Sequence, residues 1–290
     1  MKTVGIIYNA RIPEALDLSS AIFHQLTLSK DSWLAPAEDL EALKQRSEGT
    51  DLIITVGGDG TILRAVQAAA SRGIPMVGIN MGRLGFMTEL QVDEALAKLP
   101  SYFEGEAGGE MRTEERNMIQ AVVVRGNGSN VSNGAGEEGP HHALNDVVLA
   151  RGAVSRVVSI AGRIDGAQLT TFRADGVILS TATGSTGYNL AVGGPILDPL
   201  SDSFVLKPVA AHMGLTAAMV LDHAANVSLA LEGYQPATLS VDGHVDYPLE
   251  PGDRVDLVQS PFKAKFLRAN PPSYFYGTLT RRLGFSLRGQ

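Results

Sequence analysis

The chain has 290 residues, 44% of them hydrophobic, and a formal net charge of −7. That length is enough to bury a substantial core and suits two domains of ordinary size, whereas the acidic balance argues against a broad basic face for nucleic acid or an anionic membrane, so any phosphate site must be local. With no cysteine the chain has no disulfide framework, thiolate nucleophile or cysteine zinc site, and a cytoplasmic address is expected.

The apolar run in MKTVGIIYNAR is shorter than the roughly 7 to 15 residues of a signal h-region, and no run of about 18 apolar residues follows, so a soluble, unprocessed chain is expected. TVGIIY (Thr3 to Tyr8) reads as a buried strand, and PEALDLSSAIFHQL after it has helical spacing through Leu16, Phe23 and Leu26. DLIITVGGDG repeats the unit: an apolar strand, glycines, then a helix expected near Thr61 and ended by Gly73 with Pro75 beyond. IPMVGIN supplies a third strand. Strand and helix alternating over residues 1–110 predict an α/β, Rossmann-like domain with a parallel sheet, which binds ligands beyond the carboxyl ends of its strands. Gly57 to Gly60 and NMGRLGF (Asn80 to Phe86) fall there.

From about Met111 strands follow one another without long helices, in NMIQAVVVR, ALNDVVLAR, SRVVSIAGRIDG, NVSLALEG and ATLSVDGH, and residues 111–270 read as a β-rich, two-sheet C-terminal domain. Gly126 to His142 is polar and glycine-rich, and is expected to be a mobile hairpin tip. Its His141, His142, Glu137 and Glu138 lack metal-ligand spacing, and no protein metal site is expected. The closing segment SYFYGTLTRRLGFSLRGQ has helical spacing at Tyr276, Leu279 and Leu283, so residues 271–290 are expected to pack back onto the first domain.

The GGDG turn poses a chemical question. Glycine N–H groups and a helix N-terminus suit an anion, yet Asp59 sits among them, and two like charges about 4 Å apart repel by roughly 4 kcal/mol at an effective dielectric near 20. Neither GxxxxGK[ST] nor GxGxxG is present. Alone, GGDG could be a structural turn; joining a buried strand to a helix, it fits a phosphate loop better.

GGDGT, NMGRLGF, ALNDVVL and FRADGVILSTATGSTGYNLAVGGPI, in that order and spacing, closely resemble the NAD kinase family. The resemblance runs from the first strand to SYFYGTLTRRLGF and leaves out the polar tip. It implies ATP-dependent phosphorylation of the adenosine ribose 2′-hydroxyl of NAD, with Mg²⁺ accompanying ATP, by a homodimer or homotetramer. On this resemblance Gly57, Gly58, Gly60 and Thr61 hold the donor phosphates, and Asp59 orients or deprotonates the hydroxyl. Asp59 and Gly60 also meet NAD, together with Phe86, Asn145, Asp146, Arg173, Asp175, Thr183, Thr186, Gly187 and Tyr188. Ser185 offers a further hydroxyl. The family's Asn-Glu pair is Asn145-Asp146 here, one methylene shorter. Each assignment has a plainer alternative: a strand-end turn for Asn145-Asp146, a salt bridge for Arg173, core filling for Phe86, and a β-turn for Gly243 and His244 after Asp242. At the level of function the alternatives are a lipid kinase sharing the GGDG loop, and a regulator that binds NAD without transfer.

Overall fold

The protein is described from a computed structural model over residues 1–82, 85–104, 109, 111–126, 137–152 and 156–284. It divides into two units, Met1–Glu115 with Phe262–Gln290, and Arg116–Pro261. Arg83, Leu84 and the last residues of the closing segment lie outside the described residues.

The first unit runs β1 (Val4–Tyr8), α1 (Pro13–Gln25), β2 (Trp33–Pro36), α2 (Leu40–Arg46), β3 (Leu52–Gly57), α3 (Asp59–Ala69), β4 (Pro75–Asn80), β5 (Leu90–Gln91) and α4 (Val92–Glu104). Its strands lie in the order β2-β1-β3-β4, all parallel, with β5 parallel to the end of β4. β3 is buried along its whole length, as expected of a strand covered on both faces. Register pairs Gly57 with Asn80, which brings the ends of β3 and β4 together at the carboxyl edge of the sheet. α3 begins at Asp59, two residues before Thr61, and a short 3₁₀ turn closes it at Gly73, whose φ of 64° is left-handed. In α1 the buried residues are Ala15, Ser19 and Ile22, and Leu16 points outward. Phe23 and Leu26 pack against the core, so of the three spaced positions it is Leu16 that faces outward.

The second unit is built from β6 (Arg112–Val124) from Arg116 on, β7 (Glu137–Ala143), β8 (Asp146–Arg151), β9 (Val158–Ile164), β10 (Ala167–Ala174), β11 (Gly176–Ser180), the single turn α5 (Tyr188–Ala191), β12 (Phe204–Val209), β13 (Met219–Leu221), β14 (Val227–Glu232), β15 (Ala237–Val241), β16 (Val245–Leu249) and β17 (Arg254–Arg268) up to Pro261, the start of β6 and the end of β17 belonging to the first unit. One sheet has the order β13-β12-β11-β8-β15-β16, and its neighbours are all antiparallel. The other contains β10-β9-β14-β17, with β6 beside β17 and β7 beside β6. Alternate residues of both sheets, among them Val147, Leu149, Val177, Leu179, Ile160, Phe172 and Leu229, form one buried apolar cluster, the arrangement of a β-sandwich.

The polar stretch differs from expectation at its C-terminal end. Residues 137–143 are a strand paired antiparallel to β6, while residues 127–136 lie outside the described residues. The two histidines are half-buried, with His141 Nδ1 3.0 Å from the Tyr247 hydroxyl and His142 Nδ1 2.9 Å from that of Ser260. Burial lowers the pKa of both.

After β17 comes α6 (Tyr274–Arg282), in the first unit. Its buried residue is Thr278, and Phe275 packs on Phe86 with ring centroids 5.9 Å apart. Tyr276 and Leu283, two of the three positions that suggested the helix, are exposed. Among the described residues no helix is long and apolar enough to cross a membrane.

Candidate active site

In the first unit the glycine turn divides its work. A Cβ on Gly57 would lie 2.2 Å from Thr61 Oγ1, so this glycine makes room for a buried threonine rather than for a ligand. Among the described residues nothing lies within 4 Å of a Cβ built on Gly58 or Gly60. Gly58 caps α3, and Asp59 and Gly60 form its first turn, where N–H groups lack helical acceptors and negative charge is stabilised.

Asp59 is gripped by the segment after β4. The Phe86 N–H donates to its Oδ2 at 2.9 Å and the Met87 N–H to Oδ1 at 3.1 Å. Gly85 permits this approach, since a Cβ there would be 2.2 Å from Oδ1. The Arg282 guanidinium of α6 completes the set at 3.2 Å from Oδ2, while lying 4.4 Å from the centre of the Phe86 ring. The carboxylate therefore sits beside the glycine loop held by two backbone N–H groups and one guanidinium. Phe86 is sandwiched by α6, contacting both Phe275 and Arg282.

Behind this segment lies an ion network that the sequence did not reveal. Arg268 donates to the Met87 carbonyl at 2.8 Å and pairs with Glu89 at 3.1 Å and Glu114 at 3.3 Å, all three charged side chains being buried. Glu89 also accepts from the Ala269 and Asn270 N–H groups and the Tyr102 hydroxyl. Burial, reinforced by the Glu89 charge, raises the Tyr102 pKa. Asn80 is buried next to Gly57, its Nδ2 donating to the Gly82 carbonyl and Gln91, with Oδ1 left without a partner among the described residues.

In the second unit Asn145 and Asp146 open β8. Thr181 clamps this turn: its N–H donates to the Asn145 carbonyl at 2.9 Å and its hydroxyl to the Leu144 carbonyl at 2.6 Å. Gly184 must be glycine, because a Cβ would fall 2.0 Å from the Asn145 carbonyl oxygen. Gly187 lies against the Asn145 amide and the Asp146 carboxyl, about where its Cβ would be 3.9 Å from each. Thr183, Thr186 and Gly187 are thus grouped with Asn145 and Asp146, and Tyr188 stands exposed beside them. Thr183 is buried and accepts from Arg116 at 3.3 Å. Ser185 is unavailable to a ligand, since it is wholly buried and its hydroxyl bridges the Ala182 carbonyl and the Leu197 N–H.

Arg173 and Asp175 lie elsewhere. Register sets Ser180 opposite Asp146 but Gly176 opposite Ala150, so Asp175, one residue further on, is at the far end of the β8–β11 ladder, about 17 Å away at roughly 3.3 Å per residue. Asp175 pairs with Arg151 at 3.1 Å, and the exposed Arg173 has its guanidinium on Met213 Sδ rather than on a carboxylate.

Asp146 is almost fully enclosed. Desolvation, with the nearby Asp242 charge second, pushes its pKa up to about 7. Desolvation also raises Asp242, to about 6, against three backbone hydrogen bonds that favour its charged form.

The comparisons with known proteins cover both halves of this arrangement. Residues 19–107 match the ATP-NAD kinase N-terminal domain and residues 144–269 the ATP-NAD kinase C-terminal domain. The chain belongs to the NAD kinase family. It is 36% identical to the NAD kinase of Dehalococcoides mccartyi over 97% of this chain and 96% of that one, and 41% identical to that of Chloroflexus aggregans over 98% and 99%. In fold it resembles the yeast NADH kinase complexed with NADH, at a TM-score of 0.84 and 23% identity, covering 100% of this chain and 89% of that one. It also resembles an NAD kinase from Archaeoglobus fulgidus in complex with ATP, at a TM-score of 0.74 and 23% identity, covering 97% and 98%. A lipid kinase sharing only the glycine loop does not account for the match of residues 144–269.

Proposed function

We propose that the chain transfers the γ-phosphoryl group of ATP to the adenosine ribose 2′-hydroxyl of NAD, with Asp59 as the residue that handles the acceptor proton. The observation that carries this reading is the placement of the Asp59 carboxylate in the first turn of α3, beside the open glycines and fixed by two backbone N–H groups. The 2′-oxygen attacks the γ-phosphorus, the bond to the β,γ-bridging oxygen breaks, ADP leaves, and the hydroxyl proton passes to Asp59. Phosphoryl transfer needs positioning and charge neutralisation more than covalent help, and the Gly58 to Gly60 turn at a helix N-terminus supplies both for the donor. Of the three groups on the Asp59 carboxylate, the partly exposed Arg282 side chain is the one readily exchanged for a substrate hydroxyl, because the two N–H donors are fixed in the backbone.

Among the described residues no group of three or more His, Cys, Asp or Glu side chains could cage a metal. The donors present, a carboxylate at Asp59 and an unpartnered amide oxygen at Asn80, suit Mg²⁺, which is typically held by one or two protein oxygens and substrate phosphates. Bound with ATP, it would neutralise the phosphate oxygens.

In the second unit Asn145 and Asp146 are read as the adenosine contacts: an amide matches an adenine edge, and a carboxylate accepts from ribose hydroxyls. Thr183, Thr186, Gly187 and Tyr188 line the same turn. The separation of Asp175 and Arg173 from Asp146 supports an assembly of at least two chains, in which the far end of the β8–β11 ladder serves a neighbour's NAD. The proposed setting is the cytoplasm. Incubating the purified chain with ATP, Mg²⁺ and NAD and following NADP with a coupled dehydrogenase tests the reading. NADP and ADP should appear in equal amounts, and NAD binding without NADP would make the chain a regulator instead.

A further inference from the structure

The turn between β15 and β16 looks ordinary in sequence, an Asp-Gly pair between strands. Both residues are left-handed, Asp242 at φ 51° and Gly243 at φ 65°, as in tight hairpins. What an ordinary hairpin does not explain is the buried Asp242 carboxylate. Its Oδ2 accepts from the Leu144 N–H at 2.8 Å, and its Oδ1 from the Asn145 and Asp146 N–H groups at 2.7 and 3.1 Å. In return the Asp242 N–H donates to the Asp146 carbonyl at 3.0 Å. Three successive N–H groups converging on one point form an anion nest, and here the chain fills it with its own carboxylate.

The opposite side of the turn is held with equal completeness, by Thr181 on the Leu144 and Asn145 carbonyls. The backbone of residues 144–146 is thereby fixed from two sides, while among the described residues the side chains of Asn145 and Asp146 take no hydrogen-bond partner. Rigid backbone and free side chains are what a recognition turn requires. A carboxylate is needed because it accepts all three bonds; an amide would oppose one N–H with its own donor.

We propose that Asp242 is the positioning residue of the NAD-recognition turn, the internal anion that orients Asn145 and Asp146 toward the adenosine. This rests on the reading of those two residues as adenosine contacts. The Asp242 charge is felt by the Asp146 carboxyl, and the three N–H bonds favour the charged Asp242 in so enclosed a place.

Asp242→Asn separates the carboxylate from the turn, because asparagine also tolerates left-handed backbone. In the folded variant the KM for NAD should rise about tenfold to a hundredfold, with the KM for ATP within about twofold of wild type. Hydrogen exchange of the amides of residues 144–146 should accelerate in parallel. A wild-type KM for NAD, with or without a lowered melting temperature, overturns the proposal, because a merely structural turn would produce that result. Asn145→Ala is the companion: if it raises the KM for NAD while Asp242→Asn does not, this proposal alone fails, and if Asn145→Ala changes nothing, the adenosine reading itself fails. Should the Asp242 variant not fold, exchange on the wild type decides. The 144–146 amides should be as protected as those of Val147 and Leu149, and exchange at the rate of an exposed turn overturns the assignment.

Discussion

Asp59→Asn distinguishes a proton acceptor from a loop anchor. Asparagine keeps the shape, but only its single carbonyl oxygen can accept from Phe86 or Met87, and it loses the pairing with Arg282. The lost backbone bond should lower stability by about 1 kcal/mol, whereas loss of the base should lower kcat by about 10²- to 10⁴-fold. NAD affinity should stay within about tenfold, so calorimetry and turnover on the same folded sample separate the roles; near-normal turnover would leave Asp59 as an anchor. Asp146 carries a pH prediction. Its pKa in the folded chain, about 7, and that of Asp242, about 6, lie above the ordinary 3.8, so the folded state binds more protons than the unfolded one between those limits. Stability from this pair is therefore present in acid and declines as pH rises from about 4 to 7. Melting temperatures across that range should show the decline, and Asp146→Asn should reduce it, leaving the part due to Asp242, while weakening NAD binding; a slope unchanged in the variant would assign the dependence to other groups. Asp59 and Asn145 stand out as candidates in the sequence because their neighbours form specific motifs. Asp242 does not, because the three N–H groups that give it meaning lie about a hundred residues earlier in the chain, and only the pairing of β15 with β8 brings them together.

The elements show what periodicity can and cannot report. β1, β3 and β4 were readable as continuous apolar runs because parallel strands are buried on both faces. In α1 and α6 the apolar spacing identified helices, and in α1 Phe23 and Leu26 pack against the core; Leu16, Tyr276 and Leu283 face outward, and Ala15, Ser19 and Thr278 hold inner positions, in α1 beside Ile22. Small and polar residues packed close to a neighbour leave no hydrophobic signature. Likewise, the strand at residues 137–143 was hidden by its Glu, Gly, Pro and His content, which β-propensity disfavours and pairing with β6 overrides. The buried strut behind Asp59 is another case: Glu89, Glu114 and Arg268 are scattered in sequence and read as surface charge. Arg268→Met should cost about 3 to 5 kcal/mol, since the buried Glu89 carboxylate loses its paired guanidinium, while Glu114 keeps Arg112 at 2.8 Å. Chemical denaturation should show that loss. A change below about 1 kcal/mol would mean that the network is solvated and does not brace the Met87 segment.

At the scale of the whole molecule, the two families of NAD candidates occupy opposite ends of one ladder. Asn145 and Asp146 start β8; Asp175 precedes β11 and pairs with Arg151 at the end of β8. The two ends of this ladder can meet one NAD from a single chain only if the dinucleotide lies extended along it; in the proposed assembly they serve NAD from different chains. Complementation tests this directly. Asn145→Ala and Asp175→Ala should each be nearly inactive as pure assemblies. Mixed, dissociated and reassembled, they yield hybrids in which one site draws Asn145 and Asp175 from chains where both are intact, and the other site carries both defects. For a symmetric dimer formed at random from equal amounts, half the dimers are hybrids with one good site in two, so about a quarter of wild-type activity should return. The recovery should require reassembly, and simple mixing below the rate of subunit exchange should give none. Sedimentation of the wild type at assay concentration provides the companion measurement, with a dimer or larger species expected. Full activity in a monomer, or hybrids no more active than their parents, would place Asp175 outside the NAD site and leave its ion pair with Arg151 as its whole role.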